Sequence, residues 1–204
     1  MRRQLLCAKS LAASLVIVSL ASASFADTIR GTVHASGVRS PEGVVVYIER
    51  IPGASFAPPK AHAVIEQKRL LFIPHVLPIL VGTTVDFHNG EEPTDGRAIQ
   101  HNVFSPPRSG AFNLGTYAHN QSKPVLFDKP GTVTVLCNVH PEMSAYVVVL
   151  ETPYFAVTDR EGAYRITDVP AGDYVVKTWH LSLRQDSRSV FVTGETVVDF
   201  RLSR

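Results

Sequence analysis

Apolar and polar residues alternate along this chain in short runs, not at the spacing of a helix face. "GVVVYIER" (43–50), "TTVDFH" (83–88), "TVTVLC" (132–137), "AYVVVL" (145–150), "YVVKTW" (174–179) and "TVVDF" (196–200) are rich in β-branched and aromatic residues. That composition and period suit a pleated, half-buried strand. Turn chemistry separates the runs: Asn89-Gly90, Asp95-Gly96, Pro130-Gly131, Glu161-Gly162 and Ala171-Gly172-Asp173. Glycine there supplies backbone angles closed to other residues, and Asn or Asp bonds its own backbone. With 14 Pro and 13 Gly as punctuation and no sustained helical period, the pattern predicts an all-β chain built as sandwiches.

The first 26 residues follow a different pattern. Arg2 and Arg3 precede an apolar run from Leu11 to Leu20, and "SFA" sets small residues before Asp27. This is the layout of a secretory leader, too short and wrongly flanked to span a membrane. Cys7 lies ahead of the apolar run, which does not fit a lipoprotein anchor. Export to a bacterial periplasm is expected, with no membrane span left after cleavage. Of 20 Lys and Arg, three (Arg2, Arg3 and Lys9) leave with the leader, so 17 basic residues face 18 acidic ones. No basic stripe for nucleic acid or anionic lipid remains.

Cleavage also removes Met1 and Cys7, leaving Cys137 and Met143 as the only sulfur residues. An oxidising compartment pairs thiols or dispenses with them. A lone exported Cys therefore signals intermolecular pairing, a reactive thiol or a metal ligand. Both sulfurs lie in "GTVTVLCNVHPEMSAYVVVL" (131–150), with His140 midway between them; average residue usage produces such a cluster with odds on the order of one in a thousand. Ordinary core burial explains the hydrophobicity of Cys and Met, but not their grouping. A thiolate, an imidazole and a thioether in one tight turn, completed by a second imidazole from elsewhere, make a trigonal, axially capped site. Such a site binds copper and passes single electrons.

A thiol nucleophile with a histidine base is the competing chemistry. The thioether just beyond His140 suits a metal better than acyl transfer. No phosphate-binding glycine loop and no serine nucleophile elbow occurs, so the chain does not read as an enzyme. The eight histidines include no His-x-His pair, which argues against a multicopper oxygen-reducing cluster.

The second imidazole is best supplied by "QHNVFSP" (100–106). With "HNV" there and "LCNVHPEM" (136–143) before "YVVV" (146–149), the chain resembles the cupredoxins. C-x2-H-x2-M is the ligand loop of amicyanin-like members. The resemblance continues through "FIPHVLPILVGTTVDFHN" (72–89) and "FDKPGTVTVLC" (127–137), covering roughly residues 63–151, and extends to periplasmic cupredoxins labelled as methylamine-utilisation proteins. It implies one type-1 copper ion held by His101, Cys137, His140 and Met143, with Asn102 tying the two ligand loops together. It further implies that His140 reaches the surface as the electron's exit, ringed by Val139, Pro141 and Pro107. The partner would be a periplasmic cytochrome or dehydrogenase met in transient encounters.

Two features depart from that pattern. "NGEEPTDGRAIQ" (89–100) is longer and more polar than expected. His88 stands where an apolar residue or proline is expected; alternation puts Val85 and Phe87 on one face and Asp86 and His88 on the other, so His88 reads as a surface residue. His34, His62 and His119 read as surface residues, His75 as structural or exposed, and His180 as a packing or interface residue.

A second resemblance lies behind the first. "FAVTDREGAYRITDVPAGDYVVKTW" (155–179) is similar to the carboxypeptidase regulatory-like β-sandwich. It lacks that module's opening G-x-V and "VVVY" strands, which "TIRGTVHASGVRSPEGVVVYIER" (28–50) supplies. Neither piece alone is long enough to bury a stable core. The expected division is a leader (1–26), strands completing the second sandwich (27–62), a cupredoxin domain (63–152) inserted in a loop, and the remainder of the regulatory-like domain (153–204). Val44 to Ile48 should then pair or pack against strands within 155–200; in the alternative, 28–50 adds strands to the cupredoxin. The expected fold class is a cupredoxin Greek-key β-sandwich with a second, small carboxypeptidase regulatory-like sandwich. The expected function is periplasmic electron transfer, ahead of copper storage, delivery or sensing, and ahead of a non-redox binding module.

Overall fold

The computed structural model describes residues 27–93 and 99–204. Residues 1–26, where a leader is expected, and the middle of the 89–100 loop, with its Asp95-Gly96 turn, lie outside the described residues. Within them every regular element is a strand. The chain opens with β1 (Asp27–Ala35) and β2 (Val45–Ile48). Next come β3 (Ala63–Lys68), β4 (Leu71–Ile73), β5 (Val76–Leu80), β6 (Thr83–Asn89), β7 (His101–Ser105) and β8 (Phe112–Tyr117). They are followed by β9 (Ser122–Phe127), β10 (Gly131–Leu136), β11 (Ser144–Leu150) and β12 (Phe155–Val157). The last strands are β13 (Ala163–Val169), β14 (Gly172–Trp179), β15 (Ser187–Val192), β16 (Glu195–Val197) and β17 (Phe200–Leu202).

Two pairs of sheets each enclose a core. In one, the order β5-β11-β10-β7-β8 packs against β4-β3-β6-β9 over Ile65, Phe72, Val85, Phe87, Val103, Val135 and Val147. β6 shows why these residues form strands: Thr83, Val85, Phe87 and Asn89 are buried while Thr84, Asp86 and His88 are less so, the period of two that turns alternate side chains to opposite faces. In the other pair, β13-β1-β16, with β17 also on β1, packs against β12-β2-β14-β15. Its core holds Ile29, Val33, Val44, Val46, Ile48, Ile166, Val176 and Phe200. β2 pairs antiparallel with β12 and with β14, Val46 lying opposite both Ala156 and Thr178. β1 pairs antiparallel with β13.

The two sandwiches meet on a third apolar cluster of Val45, Val76, Val148, Leu150 and Trp179, with the Tyr146 and Trp179 rings 5.7 Å apart. β2 and β11 are therefore covered on both faces: Val44, Val46 and Ile48 point into one core while Val45 points to the junction. That is why "VVVY" and "YVVVL" read as unbroken apolar runs instead of alternating ones.

The single strand expected at 196–200 is instead two. β16 runs parallel to Thr28–Arg30, and β17 runs parallel to Val33–Ala35. The break faces Gly31, where a Cβ would collide with the Val198 carbonyl oxygen. Val198 N–H donates to Arg30 O at 2.8 Å, and Asp199 Oδ1 accepts from Thr32 N–H at 2.8 Å. The close backbone approach needs glycine on one strand and a side-chain substitute for the missing ladder bonds on the other.

Phe200 is fully buried in the core beneath this break. Phe200→Ala should destabilise the protein by about 3–5 kcal/mol, read as a lower urea midpoint with unchanged slope.

Candidate metal centre

Strand phase delivers the donors. On β10 the inward positions are Val133 and Val135, and the next in phase is Cys137, just past the strand's end. On β11 the inward positions Ala145, Val147 and Val149 extend back in phase to Met143. On β7, His101, Val103 and Ser105 are in phase and buried. β10 lies between β11 and β7. Its antiparallel pairing with β7 at Leu136↔Phe104 brings the start of β7 beside the end of β10.

The turn from Cys137 to Met143 is closed by its own backbone. Cys137 N–H donates to Met143 O (3.3 Å), and Met143 N–H donates to His140 O (3.0 Å). Cys137 is 3% exposed and Met143 fully buried, both in the apolar core. His140 is half-buried; its chain neighbours Val139 and Pro141 are exposed, Val139 at 45%, and so is Pro107.

The structure brings together three of the residues that the sequence singled out. Ligand atoms of His101, Cys137 and His140 all lie within 4.8 Å of one another, and the Nδ1 atoms of His101 and His140 are 3.1 Å apart. One ion at the usual metal–nitrogen distance of about 2.0–2.1 Å reaches both. Two imidazoles and a thiol form a donor set for a soft or borderline transition metal.

His101 is fully buried. Burial pushes its imidazole below the ordinary value; the neighbouring Glu91 carboxylate works against this, and His140 adds to the lowering. His101 is thus a neutral ring with a lone pair to offer. Its Nε2 lies 3.3 Å from Glu91 Oε2. Burial alone would raise the Glu91 carboxyl, but N–H groups of Leu70 and Arg69 and the His101 ring outweigh it and hold the group below the usual carboxylate range.

Asn102 faces away from the donors. Its amide nitrogen donates to Asn113 Oδ1 on β8 at 2.9 Å, and its own Oδ1 is buried without a partner. The bond that it makes therefore ties β7 to β8, where the sequence expected a tie to the 137–143 loop. The other histidines sit apart from the cluster. His88 lies on the outward phase of β6, its Nδ1 3.0 Å from Ser122 Oγ. His62 is exposed and pairs with Asp86 at 3.1 Å, and His34 is exposed. His119, half-buried, donates from Nδ1 to the Glu91 carbonyl at 2.9 Å. His75 packs edge-on to Tyr146 with ring centroids 5.5 Å apart, and His180 follows Trp179 at the junction.

Sequence reasoning missed Glu91 and the polar network around it. Gln67 donates to the Tyr117 hydroxyl, which donates to Phe87 O at 2.9 Å. Asn89 Nδ2 donates to Tyr117 O at 2.9 Å, and Asn89 Oδ1 accepts from Glu91 N–H at 3.1 Å. Burial pushes the Tyr117 phenol far up, so it stays a neutral donor. The only signal in the sequence was the unusual polarity of the 89–100 loop.

Solved structures similar to this chain include copper proteins. A Cu-containing nitrite reductase from Thermus scotoductus SA-01 aligns with 59% of this chain at 25% identity and a TM-score of 0.42, and the match spans 28% of that protein's length. A purple cupredoxin from Nitrosopumilus maritimus aligns with 43% of this chain and 98% of its own, at 24% identity and a TM-score of 0.37. A reduced amicyanin variant aligns with 51% of this chain and 97% of its own, at 25% identity and a TM-score of 0.38. No family model matches the sequence, and no match was found among curated proteins.

The titration of His101 sets a pH dependence. His101, His75 and His180 are all held below the ordinary imidazole value by burial. Below about pH 6.5 the unfolded chain takes up protons that the folded chain refuses, so stability present above that value is lost as pH falls toward the folded pKa values. The urea midpoint of the metal-free protein should decline on acidification below that pH, and a flat profile would contradict the assignment of buried, neutral rings.

Proposed function

We propose that this chain, once its leader is removed, is a periplasmic type-1 copper protein that carries single electrons between redox partners. His101, Cys137, His140 and Met143 would hold the ion. The observation carrying this reading is the convergence of two imidazoles and a thiol within 4.8 Å, at the end of the apolar core that buries Met143. Copper held by such donors supplies one-electron exchange between Cu(I) and Cu(II).

The chain's own residues meet the other needs of a carrier. The inward phase of three hydrogen-bonded strands fixes the donors, so little rearrangement accompanies a change of charge. Half-buried His140 offers the way out, and the exposed Val139, Pro141 and Pro107 offer an apolar rim to a cytochrome or dehydrogenase. Small contacts of that kind suit transient redox encounters. No catalytic role is assigned to Cys137, because the neighbouring donors suit a metal rather than an acyl group.

We further read residues 27–62 and 153–204 as one discontinuous sandwich of the carboxypeptidase regulatory-like kind, carrying 63–152 as an insertion. Support comes from the pairing of β1 with β13, β16 and β17, from that of β2 with β12 and β14, and from their shared core. On this reading residues 153–204 expressed alone stay unfolded by NMR; dispersed resonances from that fragment would reject it.

Visible spectroscopy and redox cycling of the copper-loaded, leader-free protein test the carrier function. An intense thiolate-to-copper band with reversible cycling is expected. A colourless, easily lost Cu(I) would instead favour storage, delivery or sensing. Cys137→Ser should abolish the band, and Met143→Leu should keep a coloured site with a raised potential, because the thiolate carries the charge-transfer intensity and the thioether is a weak axial donor. An unchanged spectrum in Cys137→Ser would sink the type-1 assignment.

A further inference from the structure

Glu91 is held at every polar atom of its backbone and at its carboxylate. Its N–H donates to Asn89 Oδ1 at 3.1 Å, and its carbonyl accepts from His119 Nδ1 at 2.9 Å. Its Oε2 accepts from Leu70 N–H at 2.8 Å and lies 3.3 Å from His101 Nε2. The Leu70 N–H is available because the β3–β4 turn is a two-residue loop with both residues in the left-handed region, Arg69 at φ 53° and Leu70 at φ 58°. Neither is glycine, and such a backbone persists only where its surroundings over-determine it. The carboxylate thus joins a strained turn on one sheet to the first residue of β7 on the other, and Glu91 as a whole is 8% exposed.

We propose that Glu91 is the positioning residue of the metal centre: its carboxylate holds the His101 proton on Nε2, turns the bare Nδ1 toward Cys137 and His140, and by its charge favours the oxidised ion over the reduced one. A neutral imidazole carries one N–H and one acceptor nitrogen. With Nε2 donating to Glu91, His101 Nδ1 is the acceptor, so the 3.1 Å contact between the two Nδ1 atoms is a donation from His140 to His101. A buried negative charge one ring away from the ion stabilises Cu(II) more than Cu(I), and it does so in a setting where water screens little. The redox half of this inference rests on the copper reading above; the tautomer half does not.

The test has two arms. In the metal-free, unsubstituted protein, ¹⁵N NMR of the imidazoles should find His101 protonated at Nε2 with a slowly exchanging proton, and His140 protonated at Nδ1. A His101 protonated at Nδ1 overturns the proposal whether or not copper binds. In the copper-loaded protein, Glu91→Gln keeps the shape and an acceptor but removes the charge, and its midpoint potential should rise. Glu91→Leu removes the acceptor as well, and its Cu(II) affinity should fall about 10–100-fold, the usual cost of losing a histidine ligand's outer partner. An unchanged or lower potential in Glu91→Gln, with far-UV spectrum and unfolding midpoint near those of the unsubstituted protein, overturns the electrostatic role. If the unsubstituted protein takes up no copper, the copper reading fails by itself, and the NMR arm still decides whether Glu91 positions His101.

Discussion

The period of two along β7, β10 and β11 is the constraint on which the candidate centre depends. Three neighbouring strands each turn one face inward, and each has a donor at the inward position at or just beyond its end: His101, Cys137 and Met143. A slip of one residue in any of the three would send its donor to the opposite face. The apolar residues behind them, Val103, Val135 and Ala145 among others, resist such a slip because it would expose them. Core packing and donor placement are therefore one requirement. The short turn between β10 and β11 adds His140: its ends are fixed by the ladder, its interior by two backbone hydrogen bonds, and the His140 ring by its contact with His101 on β7.

Around this apolar support runs a band of buried polar groups on the β3, β6 and β8 side. Gln67, Asn89, Glu91 and Tyr117 are all largely buried, and hydrogen bonds link them or fix their neighbours. Burying such groups is costly unless they are paired, and a satisfied network confers a single arrangement in return. Three buried atoms have no partner among the described residues: Gln67 Oε1, Asn102 Oδ1 and Ser105 Oγ. Two of them, on Asn102 and Ser105, belong to β7, the strand that begins with His101.

The second sandwich touches the first through β2 and β11, each of which buries both faces. This sharing explains how a chain can leave one sandwich after β2, build another, and return at β12 without a flexible linker. The segment between β2 and β3 is itself fastened, with Phe56 edge-on to Tyr154 at 5.7 Å and Pro58 against Gly82.

Alternation in the sequence located strands where one face is buried and the other wet, as in β6 and β14, and unbroken apolar runs located strands covered on both faces, as in β2 and β11. It did not mark β8, an edge strand with half of its residues exposed, because an edge strand needs little apolar patterning. Nor did it see the break between β16 and β17, which arises from the approach of Gly31, far away in sequence. The grouping of Cys137, His140 and Met143 was legible because chain connectivity alone keeps residues of one short turn together. The meeting of His101 with that turn followed from a motif, and its geometry from the pairing of β7 with β10. What only the tertiary structure decided are contacts between segments that have no covalent reason to meet. Asn102 bonds Asn113 across β8, and Glu91 reaches both the Arg69–Leu70 turn and His101. Such contacts depend on how a polar loop folds back over a buried ring, and hydrophobic periodicity carries no record of that, because polar side chains choose partners by direction and distance rather than by face.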